Sequence, residues 1–521
     1  MLIDNSAAQH TVKRMLDYFA AATPWSRRLW RLGTLLEVEE LAEAARARHE
    51  GALSESAVRY LADGLTRRVR EDHGFGSAAR RGLAIDHIKR TLTPDSHDLH
   101  AVHTVVSDVA PKYLMHWADA ARASTIPPES LSRAVASHLL DAGYSATALH
   151  KWLTYHCSHS PEQLDLPDLV ECAQALVARP SVRYEVLVPI TASPPLGEPI
   201  PESWLGATAA SQWLAEWFSG QPVPRQSGAL LLAIDARDPY SAVDQVRNAL
   251  ERLSARFRVG ARRALRFADN AYLLGEATPF PLAAVPRRVE VQALERTRSI
   301  FDLRLPQQID AALELLEPID TGAPAAAVAG SWASLETLLV GPGDTSNRVV
   351  AATRMARVVA CSYFRAEFTA LANAHMTTSS DGTARDLRDL GENKARAVHL
   401  EQLFRANAEP AYVGKRHVIA ALRMRQVVDN PKTIERVVQQ LEDAFRRLYR
   451  QRNLIVHAGQ TSSVALDGCL RTTAPLVGAG IDRIVHAGVT RGIEPLALAA
   501  LAEVRLREAR TAAGTLVDML P

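Results

Sequence analysis

The feature that most constrains this chain is an amphipathic helical pattern that leads directly into a cluster of polar residues. We expect Asn430 to cap the helix and Pro431 to be its first residue, while Gly459 and the polar run 460–463 mark its end. Apolar residues recur at helical spacing along one face, at Ile434, Val437, Val438, Leu441, Phe445 and Leu448. The pattern predicts one long helix that is buried along this face.

Three polar residues in the final turns of this helix have side chains suited to a phosphodiester. An Arg guanidinium binds phosphate oxygens, and a His imidazole transfers protons near neutral pH. Asn453 and His457 are four residues apart and therefore share a helix face. Arg452 and His457 are five apart, or about 140° around an ideal helix. We therefore expect either a distorted last turn or a second chain to complete the site.

The run from Tyr449 to Gly459 resembles the signature of HEPN domains, in which an Arg precedes a His by four to six residues. The polar Asn453 after Arg452 matches the common form of that signature, and three branched apolar residues precede His457. Nearby residues are most similar to the Apea-like HEPN ribonuclease branch of bacterial defence proteins. The resemblance covers roughly the last 200 residues.

This resemblance implies a metal-independent endoribonuclease that cuts RNA through attack by the ribose 2′-OH. Arg452, Asn453 and His457 are the implied catalytic residues, with His457 as general base or acid. A position near a helix C-terminus favours a protonated imidazole, which suits the acid role. The family also implies a homodimer through the HEPN domain and a role as an antiphage or abortive-infection effector. No cofactor and no metal are expected.

Further residues are candidates for support of this site. Arg446, Arg447 and Arg450 form a basic cluster that we expect to contact the RNA backbone. Glu336 could pair with Arg452 and hold it, or could be an ordinary solvent-facing helix residue. Tyr449, which opens the motif, is a supporting candidate.

An alternative interpretation of the motif stays open. The chain has 17 His and many Arg, so the loose spacing recurs, for example from Arg81 to His87. The C-terminal bundle could therefore be a non-catalytic dimerisation or RNA-binding module inside a larger defence complex. RNA affinity that survives removal of the motif, without cleavage, would distinguish this alternative.

Composition limits the other possibilities. A chain of 521 residues exceeds one ordinary core, so two or more domains are expected. A net charge of only +2 offers no global attraction for nucleic acid, so any RNA contact needs a local basic patch. The N-terminal segment lacks the apolar core of a signal peptide, and no apolar run reaches the ~18 residues of a membrane span. Four widely spaced cysteines fit a reducing cytoplasm. We expect a cytoplasmic protein that makes no membrane contact.

The order of predicted elements indicates a mainly α protein with three regions. Residues 1–178 read as a helical sensor or scaffold, and 179–300 as a small α/β domain with strands at 183–190 and 229–235. Residues 320–521 read as an HEPN-like helical bundle. The first 300 residues are expected to respond to a phage-derived trigger, a nucleic acid or a partner protein.

Overall fold

The computed structural model describes residues 6–90, 93–124, 126–158, 165–192, 201–262, 264–344, 347–511 and 514–521. The fold is mainly helical, with 68% helix against 6% strand, as the sequence predicts. No described helix on its own combines the length and the apolar composition of a membrane span. Only the bent pair 466–491 and 495–509, at 109° to each other, meets that test jointly.

The N-terminal region is a layered array of helices around one apolar core. Helices α1 to α9 span Ser6–Phe19, Thr34–His49, Glu55–Glu71, Ala78–Arg90, His97–Val109, Tyr113–Ala123, Pro128–Asp141, Ala146–Ser158 and Leu166–Ala178. Local capping sets several boundaries: Ser54 accepts from the Ala57 N–H at the start of α3, and Asp165 forms a capping box with Asp168 at the start of α9.

The middle region contains a small antiparallel sheet with one helix on each face. Its strands β1 to β6 are Val182–Ala192, Trp204–Gly206, Gly228–Ala236, Arg266–Phe267, Asn270–Leu273 and Phe280–Pro281. They lie in the order β2-β3-β1-β5-β6, and β4 also pairs with β1. Helix α10 (Ala207–Trp217) and helix α11 (Pro239–Ala261) pack on opposite faces of β1.

Both predicted strands are present, but the expectation of an α/β domain is corrected, because β1 and β3 pair antiparallel with Val186 opposite Leu232. Apolar content identifies a strand without specifying the direction of its neighbour. The Pro-rich segment from Ser193 to Pro201, which the sequence suggests is a loop, lies outside the described residues up to position 200.

The C-terminal region is a helical bundle built around one long helix. Helices α12 to α21 span Ala293–Arg296, Gln307–Leu316, Pro324–Leu339, Val350–Thr378, Gly382–Asp389, Asn393–Arg405, Lys415–Asp429, Thr433–Ala458, Leu466–Arg491 and Pro495–Ala509. Central α15 packs against α19, α20 and α21, and its Phe364 and Phe368 are fully buried in the same apolar core as Trp332 of α14 and Phe445 of α19. This packing fixes the direction of α19, whose last turns contain the motif.

Candidate active site at the end of helix α19

Helix α19 ends as the sequence predicts but begins two residues later than expected. Its first helical residue is Thr433, and Lys432 is at the cap position, so Pro431 lies in the preceding turn and Asn430 is the C-cap of α18. The carbonyl of Asn430 still accepts a hydrogen bond from the Thr433 N–H at 2.9 Å. At the other end, Gly459 has a φ of 65°, which glycine adopts without the steric cost of a Cβ atom.

The three motif side chains converge within one chain. Nη1 of Arg452 donates to Oδ1 of Asn453 at 2.9 Å and to Nε2 of His457 at 3.0 Å. The helix is continuous from Thr433 to Ala458, so these three groups meet within one chain and without a distorted turn. The long, flexible Arg side chain spans the angle that separates the two Cα positions.

The hydrogen bond also specifies the role of one imidazole nitrogen. Because the guanidinium of Arg452 is only a donor, Nε2 of His457 accepts and has no proton in this arrangement. His457 is exposed, the side chain of Arg452 is 19% exposed, and Asn453 is buried. The imidazole is therefore open to solvent, while its two neighbours are anchored.

Glu336 of α14 approaches the motif from the neighbouring helix. Its Oε2 lies 3.8 Å from Nη2 of Arg452, and its Oε1 accepts from the Trp332 indole N–H at 2.7 Å. The predicted pairing with Arg452 is present, and the side chain is only 16% exposed, so the solvent-facing alternative is wrong. Tyr449 packs its ring 5.0 Å from that of Trp332, which supports the same wall of the site.

Two residues of the expected RNA-binding cluster, Arg447 and Arg450, are buried inside the protein. The guanidinium groups of Arg447 and Arg450 are buried at the contact between α19 and helix α2 of the N-terminal region. Arg447 donates to Glu37 at 2.6 Å and to Glu40 at 3.1 Å, while Arg450 donates to Glu40 at 2.6 Å. The expectation that both contact RNA is corrected, because their charges are paired with buried carboxylates and no phosphate reaches them in this arrangement.

Arg446 lies nearer the surface but is also engaged. It pairs with Glu442 of its own helix at 2.7 Å and stacks over the Tyr60 ring at 4.0 Å. Its side chain is 21% exposed, so the basic cluster as a whole offers little open positive charge.

The carboxylates on α2 are the residues that sequence reasoning missed. Burial alone raises the pKa of Glu40, but the adjacent charges of Arg450 and Arg447 outweigh burial and lower that pKa to about 2. Glu43, one turn further along, accepts from the Ser463 hydroxyl at 2.5 Å, just beyond the end of α19. The three-residue spacing of Glu37, Glu40 and Glu43 places them on one face of α2 and was the available signal.

The described residues also contain one group with metal-ligand geometry. His87, His97 and Asp98 bring ligand atoms within 4.8 Å of one another, and His87 Nδ1 lies 2.7 Å from Oδ1 of Asp98. They lie on α4 and α5 in the N-terminal region, on different helices from the motif.

Comparison of the chain with protein-family models, with curated proteins and with solved structures finds no match. The likeness to HEPN domains therefore depends on the motif residues. The geometry at the end of α19 provides an exposed proton acceptor hydrogen-bonded to a guanidinium, with a carboxylate behind it.

Proposed function

We propose that this chain is a metal-independent endoribonuclease whose active site is formed by Arg452, Asn453 and His457. The observation that carries the proposal is the pair of hydrogen bonds from one Arg452 nitrogen to Asn453 and His457. A proton acceptor in direct contact with a cation, at an exposed helix end, provides two of the groups that phosphodiester cleavage by an internal hydroxyl uses: a base for that hydroxyl and a positive charge for the phosphoryl oxygens.

In the proposed reaction, Nε2 of His457 accepts the proton of a ribose 2′-OH. The freed oxygen attacks the adjacent phosphorus, and the bond from phosphorus to the 5′-oxygen breaks. The products are a 2′,3′-cyclic phosphate and a 5′-hydroxyl, whose oxygen takes up one proton. Arg452 exchanges its bond to His457 for a bond to a phosphoryl oxygen and stabilises the charge that develops there. Asn453 and Glu336 hold the guanidinium in position.

A second copy of the chain is the proposed partner in this reaction. The motif contacts include one imidazole, whereas the reaction uses both a base and an acid. A homodimer that brings two copies of His457 to one cleft would provide both.

We further propose that the protein is a cytoplasmic effector of antiphage or abortive-infection defence, with the N-terminal regions sensing a trigger. The buried ion pairs between α2 and α19 support a link between the two parts of the chain. A trigger that moves α2 would act directly on the helix that contains the motif.

A second candidate function has its own supporting observation. Arg446, Arg447 and Arg450 are all paired with carboxylates, and Arg452 is bonded to its neighbours, so little positive charge is open to an RNA backbone. Of the two roles of a non-catalytic HEPN-like module in a larger defence complex, dimerisation or RNA binding, this observation favours dimerisation.

The test is cleavage of total tRNA and mRNA by the purified full chain in EDTA. His457→Ala and Arg452→Ala are compared with His100→Ala, which removes an exposed His from helix α5. We expect wild type and His100→Ala to produce 2′,3′-cyclic phosphate ends, and both motif variants to produce none. Equal cleavage by either motif variant would refute the assignment, and RNA binding without cleavage in all four proteins would favour the second candidate.

A further inference from the structure

A cavity of about 200 Å³ lies between the N-terminal region and the C-terminal bundle. Helices α1 and α7 and the segment 26–31 line one side, while α15, α18 and α19 line the other. Its charged lining consists of one carboxylate, from Glu129, and six guanidinium groups, from Arg14, Arg28, Arg31, Arg133, Arg423 and Arg436.

The single lining carboxylate is already shared among several of these cations. Glu129 lies 2.9 Å from Arg14, 2.8 Å from Arg133 and 3.9 Å from Arg423. Arg423 has a further partner in Glu367, at 3.0 Å. These ion pairs leave Arg28, Arg31 and Arg436 without a carboxylate partner among the residues that the structure describes. The cavity therefore has an excess of positive charge.

Arg31 has an unsatisfied hydrogen-bond donor in the lining of the cavity. Its Nε atom is buried and has no hydrogen-bond partner in the described part of the chain. Burial, together with the nearby charges of Arg133 and Arg68, lowers the pKa of Arg31 to about 10. A buried N–H donor without a partner is costly, and an anion that accepts a hydrogen bond from it would remove that cost.

The rest of the lining is suited to a ring. Leu29, Trp30, Tyr363, Val427 and Val437 provide an apolar wall, and the Trp30 and Tyr363 rings meet edge to face at 5.3 Å. Guanidinium groups hold phosphate oxygens through paired hydrogen bonds, and aromatic side chains hold planar rings.

We propose that this cavity binds a small phosphate monoester with a ring portion, the chemical class to which mononucleotides belong. The phosphate is held by Arg31 and Arg436, which have no carboxylate partner among the described residues, and the ring rests on the apolar wall. Because the ligand would contact Arg436 and Gln440 of α19 as well as Arg14 of α1, it joins the two regions of the chain. The proposal does not depend on RNA cleavage.

Isothermal titration of the full-length chain with inorganic phosphate, AMP and adenosine tests this site. We expect phosphate to bind, AMP to bind at least about tenfold more tightly, and adenosine to bind far more weakly than AMP. Arg31→Met should weaken AMP binding by about tenfold or more while keeping the fold, because it removes a half-buried guanidinium that has no ion-pair partner among the described residues.

Two further variants keep the test decisive. Arg436→Gln changes an exposed residue of the lining, so it should also weaken AMP binding without affecting folding. Arg59→Gln, whose side chain is 71% exposed on α3, serves as the matched control and should bind as wild type does. Arg452→Ala should also bind AMP normally, which separates this cavity from the proposed cleavage site.

Absence of binding by both phosphate and AMP would overturn the proposal. So would AMP affinity that is unchanged in both Arg31→Met and Arg436→Gln, or AMP affinity that is lost in Arg452→Ala. If adenosine bound as tightly as phosphate, the guanidinium groups would not be the main contact, and the proposal would be refuted.

Discussion

Replacement of Glu40 by Gln removes the negative charge at the centre of the contact between α2 and α19. The Glu40 side chain is buried, and its two oxygens accept from Arg447 at 3.1 Å and from Arg450 at 2.9 and 2.6 Å. The amide keeps the shape of the carboxylate but leaves buried guanidinium charge with less compensation. We therefore expect Glu40→Gln to destabilise the folded chain.

The size of the effect follows from the pKa of the carboxyl group. Its decrease from the ordinary 4.5 to about 2 corresponds to about 3 kcal/mol of preferential stabilisation of the charged form. Removal of one partner from a buried ion pair costs about 3–5 kcal/mol in other proteins, which agrees. Because the folded pKa is the lower one, this stabilisation is complete above about pH 4.5 and is lost as the pH falls towards 2.

Urea denaturation of the full chain at pH 7 measures the loss. The matched control is Glu39→Gln, which changes the adjacent, exposed carboxylate and should alter the free energy of unfolding by less than about 0.5 kcal/mol. The difference between wild type and Glu40→Gln should shrink as the pH falls from 4.5 to 2. In the double variant with Arg450→Met the losses should not add, because each single change leaves the other charge uncompensated. Equal stability of Glu40→Gln and Glu39→Gln at pH 7 would refute this account of the contact.

Three other outcomes are expected. Loss of His457 or Arg452 should lower RNA cleavage by about a hundredfold or more, measured as cyclic-phosphate ends, and a rate near that of wild type would contradict the proposed roles. Glu336→Gln should lower the rate by about tenfold while Arg452 remains in place, so a larger loss than in Arg452→Ala would contradict a supporting role. Burial lowers the pKa of His138 from 6.5 to about 4, so the unfolded chain takes up a proton first as the pH falls. Wild type should therefore lose about 3 kcal/mol of its free energy of unfolding between pH 6.5 and 4, and His138→Phe should lack this loss. Parallel pH profiles of urea denaturation for wild type and His138→Phe would contradict that prediction.

The local sequence determined much of the helical framework. Apolar spacing from Ile434 to Leu448 predicts the buried face of α19, and Gly459 predicts its end, because both depend on interactions within a few turns of the chain. The predicted pairing of Glu336 with Arg452 is likewise present, although it joins two helices.

The pairing of strands in the middle sheet is a feature that the local sequence does not specify. The strands at 183–190 and 229–235 could be recognised from their composition, but their antiparallel pairing could not. Strand direction depends on how the connecting segments cross the fold, and no property of an isolated strand records that path.

At the candidate site, only the tertiary structure decided which charges are open and which are neutralised. On the isolated helix, Arg447 and Arg450 form a basic surface, and the helical angle separates Arg452 from His457. In the folded chain, Arg447 and Arg450 are buried and pair with carboxylates about 400 positions away along the sequence. The long, flexible side chain of Arg452 spans the angle to His457 and contacts it. The sequence alone determined which groups occur along α19, while packing against α2 and α14 determined their partners, because electrostatic interactions depend on distance in space rather than separation along the chain.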